Sequence, residues 1–152
     1  MRYTREWWRD EATHAFVRFA SLGCPTVEQY EDRIRKDCYN RLSMHNPQFI
    51  VNKANAEISA RKPLLKDIEA VNRVIDMLNE QDKQYIVDAM KAVYFCTPNE
   101  KTTVGSIKYR VRRFAMEYPA SERTVYRWLK AARLLYAMER GIDVGKYENE
   151  RL

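Results

Sequence analysis

The residues whose types best suit a specific chemistry are arginines and lysines, and they are concentrated in one stretch of the sequence. Residues 101–140 hold ten basic and three acidic side chains, a net charge of +7, whereas the rest of the 152-residue chain holds 17 basic and 18 acidic side chains, a net charge of −1. Arginine forms paired hydrogen bonds with guanine, and both kinds of cation bind phosphate. This concentration is expected of a surface that binds nucleic acid, and a solvated basic face is the alternative.

Two predicted helices would position these cations. The spacing of apolar residues predicts one helix over residues 106–118, which Pro119 ends, and a second helix that follows Ser121 and runs to about Arg140. Ser121 is a suitable N-cap for the second helix, and Gly141 is a natural stop after it. A short turn between two helices, with the second one capped, is typical of a helix-turn-helix, whose second helix enters the major groove of DNA.

The second of these helices carries unlike residues on two faces. Apolar residues at steps of four, three and three form the face predicted to be buried: Val125, Leu129, Ala132 and Leu135, with Trp128 beside it. We expect the basic side to contact base edges through Arg123, Thr124, Tyr126, Arg127 and Lys130. We expect phosphates to be bound by the cap and the first helix, through Ser121, Lys108, Arg110, Arg112 and Arg113. A helical hairpin with a basic face and no DNA-binding role is the alternative.

The rest of the chain also has the apolar spacing of helices, so the predicted fold class is all-α. The first helix is expected to start near Thr4 and to end before Gly23. Thr26 and Gln29 predict a capping box for the second helix. Three aromatic residues of the first helix are predicted to lie in the core or an interface, with base stacking as the alternative: Trp7, Trp8 and Phe16.

The stretch over residues 43–53 has the least regular pattern of the chain. Pro47 argues against a continuous helix there, because proline in a helix interior removes a hydrogen bond and clashes with the preceding turn. We therefore predict a connector that is anchored by the apolar residues 49–51, with a weak helical stretch following over residues 54–60.

Beyond that stretch, Pro63 suits the first turn of a helix, and Asn79 is expected to cap the chain between that helix and its successor. Three units are expected: a helical N-terminal region over 1–62 that could bind a partner, a DNA-binding helix-turn-helix domain over 63–141, and a polar tail over 142–152.

The sequence lacks the motifs of the common enzyme and metal-site classes. It has no phosphate-binding glycine loop, no HExxH and no GxSxG, so neither an enzyme nor a cofactor is expected. Cys24, Cys38 and Cys96 are too far apart for a zinc knuckle, and His14 and His45 have no second ligand nearby, so no metal site is expected. The sequence has neither a spanning apolar run nor a signal peptide. A protein of the bacterial host cytoplasm, without a membrane role, is therefore expected.

The run Phe114–Leu129, FAMEYPASERTVYRWL, resembles the pattern IAxxLGISERTVYRW in region four of bacterial sigma factors and their phage relatives. Upstream, Ile75–Ile86 is similar to the helix that precedes the motif in those proteins. The order of parts and the ERTVYRWLKxA core are most like the ArpU/RinA group of phage late-gene transcriptional regulators. The resemblance covers about residues 64–140, although Pro119 stands where the family has glycine. It implies a sigma-region-four-like helix-turn-helix and a sequence-specific activator of phage late genes.

Two other functions fit the same residues. One is a DNA-binding packaging accessory, such as a small terminase subunit, which also uses a helix-turn-helix. The other is an antitermination-type factor that acts mainly by binding host RNA polymerase. The expected partner is double-stranded DNA, with RNA polymerase as a further candidate, and the sequence leaves the oligomeric state open.

Overall fold

The computed structural model describes residues 7–95 and 104–144, which form seven α-helices and contain no β-strand. The helices are α1 (Trp7–Ser21), α2 (Val27–Arg41), α3 (Pro47–Ala60), α4 (Lys62–Glu80), α5 (Gln84–Val93), α6 (Val104–Glu117) and α7 (Glu122–Glu139). The prediction of an all-α chain is therefore confirmed over these residues. The expected start of the first helix near Thr4 and the part of the expected polar tail 142–152 that follows residue 144 lie outside them.

The end of α1 and the start of α2 are formed by the residues that the sequence predicts. After α1, Gly23 takes φ +83°, and the amide of Cys24 donates to the carbonyl of Phe19 at 3.0 Å. A left-handed residue followed by this bond is a helix stop that glycine adopts without steric cost. The Thr26 side chain accepts from the amide of Gln29, and the Gln29 side chain accepts from the amide of Thr26, which confirms the predicted capping box.

The predicted connector over residues 43–53 is wrong, because α3 begins inside it. Pro47 occupies the first turn of α3, where its missing amide hydrogen would have no helical partner in any case. The Asn46 side chain caps this helix by accepting from the amide of Gln48 at 2.8 Å. Ile50 is the buried residue of the expected apolar anchor. Proline breaks a helix when it lies in the interior, but Pro47 lies in the first turn, where proline favours the start of a helix.

The prediction that Asn79 caps the chain between two helices is also wrong. Asn79 lies within the last turn of α4, and the stop is made three residues later by Asp82 at φ +58°. The amide of Lys83 then donates to the carbonyl of Leu78 at 2.8 Å. A short polar side chain is among the few that tolerate a left-handed backbone, so aspartate takes the place that glycine has after α1. Pro63, in contrast, lies in the first turn of α4 as predicted.

The core is built around α7, which packs against α1, α4, α5 and α6. At its centre, the ring of Phe16 from α1 lies 5.5 Å from that of Tyr94 and 5.6 Å from that of Tyr136 on α7. One cluster of buried side chains extends from α1 to α7, so the core runs across the boundary expected at residue 62. Trp8 and Phe16 are both buried, which confirms the core prediction for these two residues.

The helices α2 and α3 pack mainly on each other, and α2 also contacts α4. Neither is among the helices that pack most closely against α7, which are α1, α4, α5 and α6. None of the helices in the described ranges is both long enough and apolar enough to cross a membrane.

Candidate nucleic-acid interface

The turn between α6 and α7 fixes the start of α7. Ser121 has an extended backbone, with φ −76° and ψ 157°, and its side-chain oxygen accepts from the amide of Thr124 at 3.1 Å. The helix α6 ends at Glu117, and the amide of Tyr118 still donates to Phe114 at 2.8 Å. The N-cap expected at Ser121 is therefore present. The first amides of α7 face outward from an exposed turn, and such amides attract anions.

Aromatic side chains hold α7 against α5 and α6. The ring of Tyr118 stacks on that of Phe114 at 5.0 Å and meets the ring of Trp128 edge-on at 5.9 Å. Trp128 also contacts Tyr85 of α5, with 4.8 Å between ring centroids. Offset and edge-to-face aromatic pairs stabilise a packed interface beyond the area that they bury. This chain of rings sets the angle at which α7 leaves the turn.

Beneath the rings, the apolar side of α7 is buried as the sequence predicts. Val125, Leu129 and Ala132 have at most 1% of their surface exposed, and Leu135 is half-buried. Val111 and Phe114 of α6 belong to the same cluster. The opposite side of the first turns of α7 is consequently directed to solvent.

The structure brings together the residues expected to read bases. Arg123, Tyr126 and Arg127 are exposed, whereas Thr124 and Lys130 are half-buried. The hydroxyl of Thr124 lies 2.9 Å from that of Ser121, so its first interaction is with the cap. Arg123 and Lys130 are seven residues apart, or about 10.5 Å along the helix. That length is close to the width of the B-DNA major groove, about 12 Å.

The outward side of α7 is partly covered in its second half. Leu134 and Ala137 continue the direction of the basic stripe, yet they are 3% and 0% exposed, because Trp8 of α1 and Val144 pack over them. Gly141 takes φ +67°, which turns the chain so that Val144 can return to the helix. Sequence reasoning missed this cover. The signal was the continuous apolar run from Leu134, since a helix that is apolar all round is buried all round.

Among the α6 residues expected to bind phosphate, three are exposed: Lys108, Arg112 and Arg113. The Arg112 guanidinium lies 3.3 Å from the carboxylate of Glu122, and that of Arg113 lies 3.4 Å from Glu117. Exposed ion pairs of this kind contribute little stability, so a phosphate can replace the carboxylate at small cost.

The structure gives Arg110 a different place from the one expected. Its side chain is only 8% exposed, and Nη1 donates to the carbonyl of Val93 at 2.9 Å. Val93 is the last residue of α5, where carbonyls lack a partner within the helix. Arg110 thus fastens α6 to the end of α5, and it does not belong to the exposed basic surface.

The C-terminal end of α7 is anchored by a carboxylate on α4. Asp67 accepts from the Tyr136 hydroxyl at 3.0 Å and lies 2.9 Å from the Arg140 guanidinium and 3.5 Å from that of Arg18. Burial raises the pKa of the Tyr136 hydroxyl far above its usual range, and the neighbouring charge of Asp67 adds to the rise. Arg140 is therefore a structural cation, although it contributes to the +7 of its segment.

No group of His, Cys, Asp and Glu within residues 7–95 and 104–144 could hold a metal ion. The chain matches no protein-family model, no curated protein and no solved structure.

Proposed function

We propose that the protein is a sequence-specific double-stranded DNA-binding transcriptional regulator in which α6 and α7 act as a helix-turn-helix. One observation carries the proposal. The first half of α7 projects a basic stripe, namely Arg123, Arg127 and Lys130, from a packed aromatic base, and the length of this stripe fits the major groove.

In this proposal the exposed arginines of α7 lie along base edges and the cations of α6 lie along the backbone. Arg123 and Arg127 suit guanine, because a guanidinium can donate to both acceptors on its major-groove edge. Tyr126 can contact a thymine methyl or a phosphate. Lys108 and Arg112 on α6 would bind phosphates and fix the register of the protein on the duplex.

The regulatory role is supported by the resemblance of the Phe114–Leu129 run to phage late-gene regulators. We propose on that basis an activator that acts beside host RNA polymerase. The protein would act by binding and would need no cofactor.

Selection from a library of random duplexes tests the proposal. The full chain is expected to enrich one short motif, and a footprint on phage DNA is expected to place that motif at a promoter. A footprint at a packaging site would favour a terminase-like accessory instead. Failure to enrich any motif above the starting library would contradict sequence-specific binding.

A further inference from the structure

Arg133 lies on the same side of α7 as the residues proposed to meet DNA, but it was not among those expected from sequence. It follows Tyr126 by seven residues and Lys130 by three, and side chains at these intervals share one side of a helix. Arg133 is half-buried, whereas Tyr126 is exposed.

Within the described residues, the guanidinium of Arg133 has no hydrogen-bond acceptor. Its Nε atom is fully buried without a hydrogen-bond partner, and no carboxylate of residues 7–95 or 104–144 forms an ion pair with it. The neighbouring arginines differ, since Arg110 donates to a carbonyl and Arg140 pairs with Asp67. A buried donor that leaves water without gaining an acceptor destabilises the fold, so an arginine in this position points to an acceptor from outside the chain.

One hydroxyl near Arg133 is that of Tyr94. Burial raises the pKa of Tyr94, and the positive charge of Arg133 opposes that rise, so the two side chains are close enough to interact electrostatically. The Tyr126 hydroxyl also influences the Tyr94 pKa. Arg133 and Tyr126 thus both lie close enough to Tyr94 to affect its pKa, and a guanidinium and a hydroxyl can both donate to anionic oxygens.

We propose that Arg133 binds one phosphate of the DNA backbone, with the Tyr126 hydroxyl beside it. This inference rests on the proposed function. Arg133 follows Arg123 by ten residues, or about 15 Å along the helix, which exceeds the major-groove width of about 12 Å. When Arg123 is at the base edges, Arg133 is thus beyond the groove and beside the sugar–phosphate chain. A guanidinium fork matches two phosphate oxygens there.

The test compares Arg133→Gln with Arg35→Gln in the full chain. Arg35 lies on α2, is exposed and pairs with Asp32, so its replacement removes the same charge away from α7. Each variant is titrated with the selected duplex and with a scrambled duplex at several salt concentrations, and each is melted without DNA. Arg133→Gln is expected to weaken binding to both duplexes by about tenfold and to reduce the salt slope by about one. Arg35→Gln is expected to change neither quantity.

The melting curves separate this role from a structural one. Because Arg133 has no acceptor among the described residues of the free protein, Arg133→Gln is expected to melt no lower than the wild type. Arg133→Lys keeps the charge and is expected to keep the salt slope. Unchanged binding by Arg133→Gln, with the wild type binding DNA, would overturn the inference and leave the proposed function standing. A lowered melting temperature that accounts for the weaker binding would also overturn it. A wild type that binds neither duplex would overturn both proposals.

Discussion

Two exposed arginines on neighbouring helices allow base reading to be separated from phosphate binding. Arg123 lies in the first turn of α7, and Arg112 lies on α6 beside Glu122. Arg123→Ala is expected to cost about 1–3 kcal/mol of binding free energy on the selected site and to relax discrimination at one base position. Arg112→Ala is the matched control, expected to weaken selected and scrambled duplexes alike. Equal losses on both duplexes for Arg123→Ala would place α7 on the backbone instead of the bases.

Replacing Arg110 is expected to change the stability of the protein and not its DNA binding, in contrast to its exposed neighbours on α6. Arg110→Ala removes the donor that meets the Val93 carbonyl, so a buried acceptor is left without a partner. The free energy of unfolding is expected to fall by about 1–3 kcal/mol, measured by chemical denaturation. The salt slope of DNA binding, measured where the variant is folded, is expected not to change. Lys108→Ala, an exposed change on the same helix, is expected to reduce the salt slope and to leave the free energy of unfolding unchanged. A reduced salt slope for Arg110→Ala would indicate that Arg110 does bind DNA.

The packing of α7 against the core depends on Leu129, a buried residue of its apolar side. Leu129 is 1% exposed, so Leu129→Ala leaves a cavity and is expected to reduce the free energy of unfolding by about 2–5 kcal/mol. Met138 lies on the same helix but is 52% exposed, and Met138→Ala serves as the control, with a change expected below about 0.5 kcal/mol. Thermal or chemical denaturation measures both, and an unchanged midpoint for Leu129→Ala would contradict the burial of this face.

The elements that sequence predicts well are those whose signals are local. The cap at Ser121, the capping box at Thr26 and the apolar spacing of Val125 and Leu129 each depend on residues that are close in sequence, and all three are present. The start of α3 at Pro47 was missed because proline favours a first helical turn and disfavours an interior one, and the residue type alone does not distinguish them.

The composition of the candidate site was harder to predict than its location, because burial depends on contacts between distant helices. Arg110 and Arg112 are two positions apart on α6 and have the same chemistry, yet the first is buried against α5 and the second is exposed. Arg133 is likewise half-buried, whereas Arg123 and Arg127 on the same helix are exposed. No local pattern distinguishes these arginines.

For the molecule as a whole, the uneven distribution of charge predicts a steep dependence of DNA affinity on salt. Each phosphate that a cation neutralises releases counterions, so the logarithm of affinity is expected to fall linearly with the logarithm of salt concentration, by about 0.9 per phosphate bound. Titration of a duplex at four or more salt concentrations measures this slope. A slope near zero would exclude the basic surface as a DNA-binding surface. A variant with Lys62 and Lys66 of α4 changed to glutamine controls for general charge.

Trp8 packs over the second half of α7, and this limits how many base pairs a single copy of the protein can contact. The first half of α7, from Glu122 to Lys130, is short, so its direct contacts with base edges cover only a few base pairs. A motif of so few base pairs recurs throughout any genome, and it cannot by itself mark one promoter. Recognition of a unique DNA site would then require this protein together with a second DNA-binding module on the adjoining DNA.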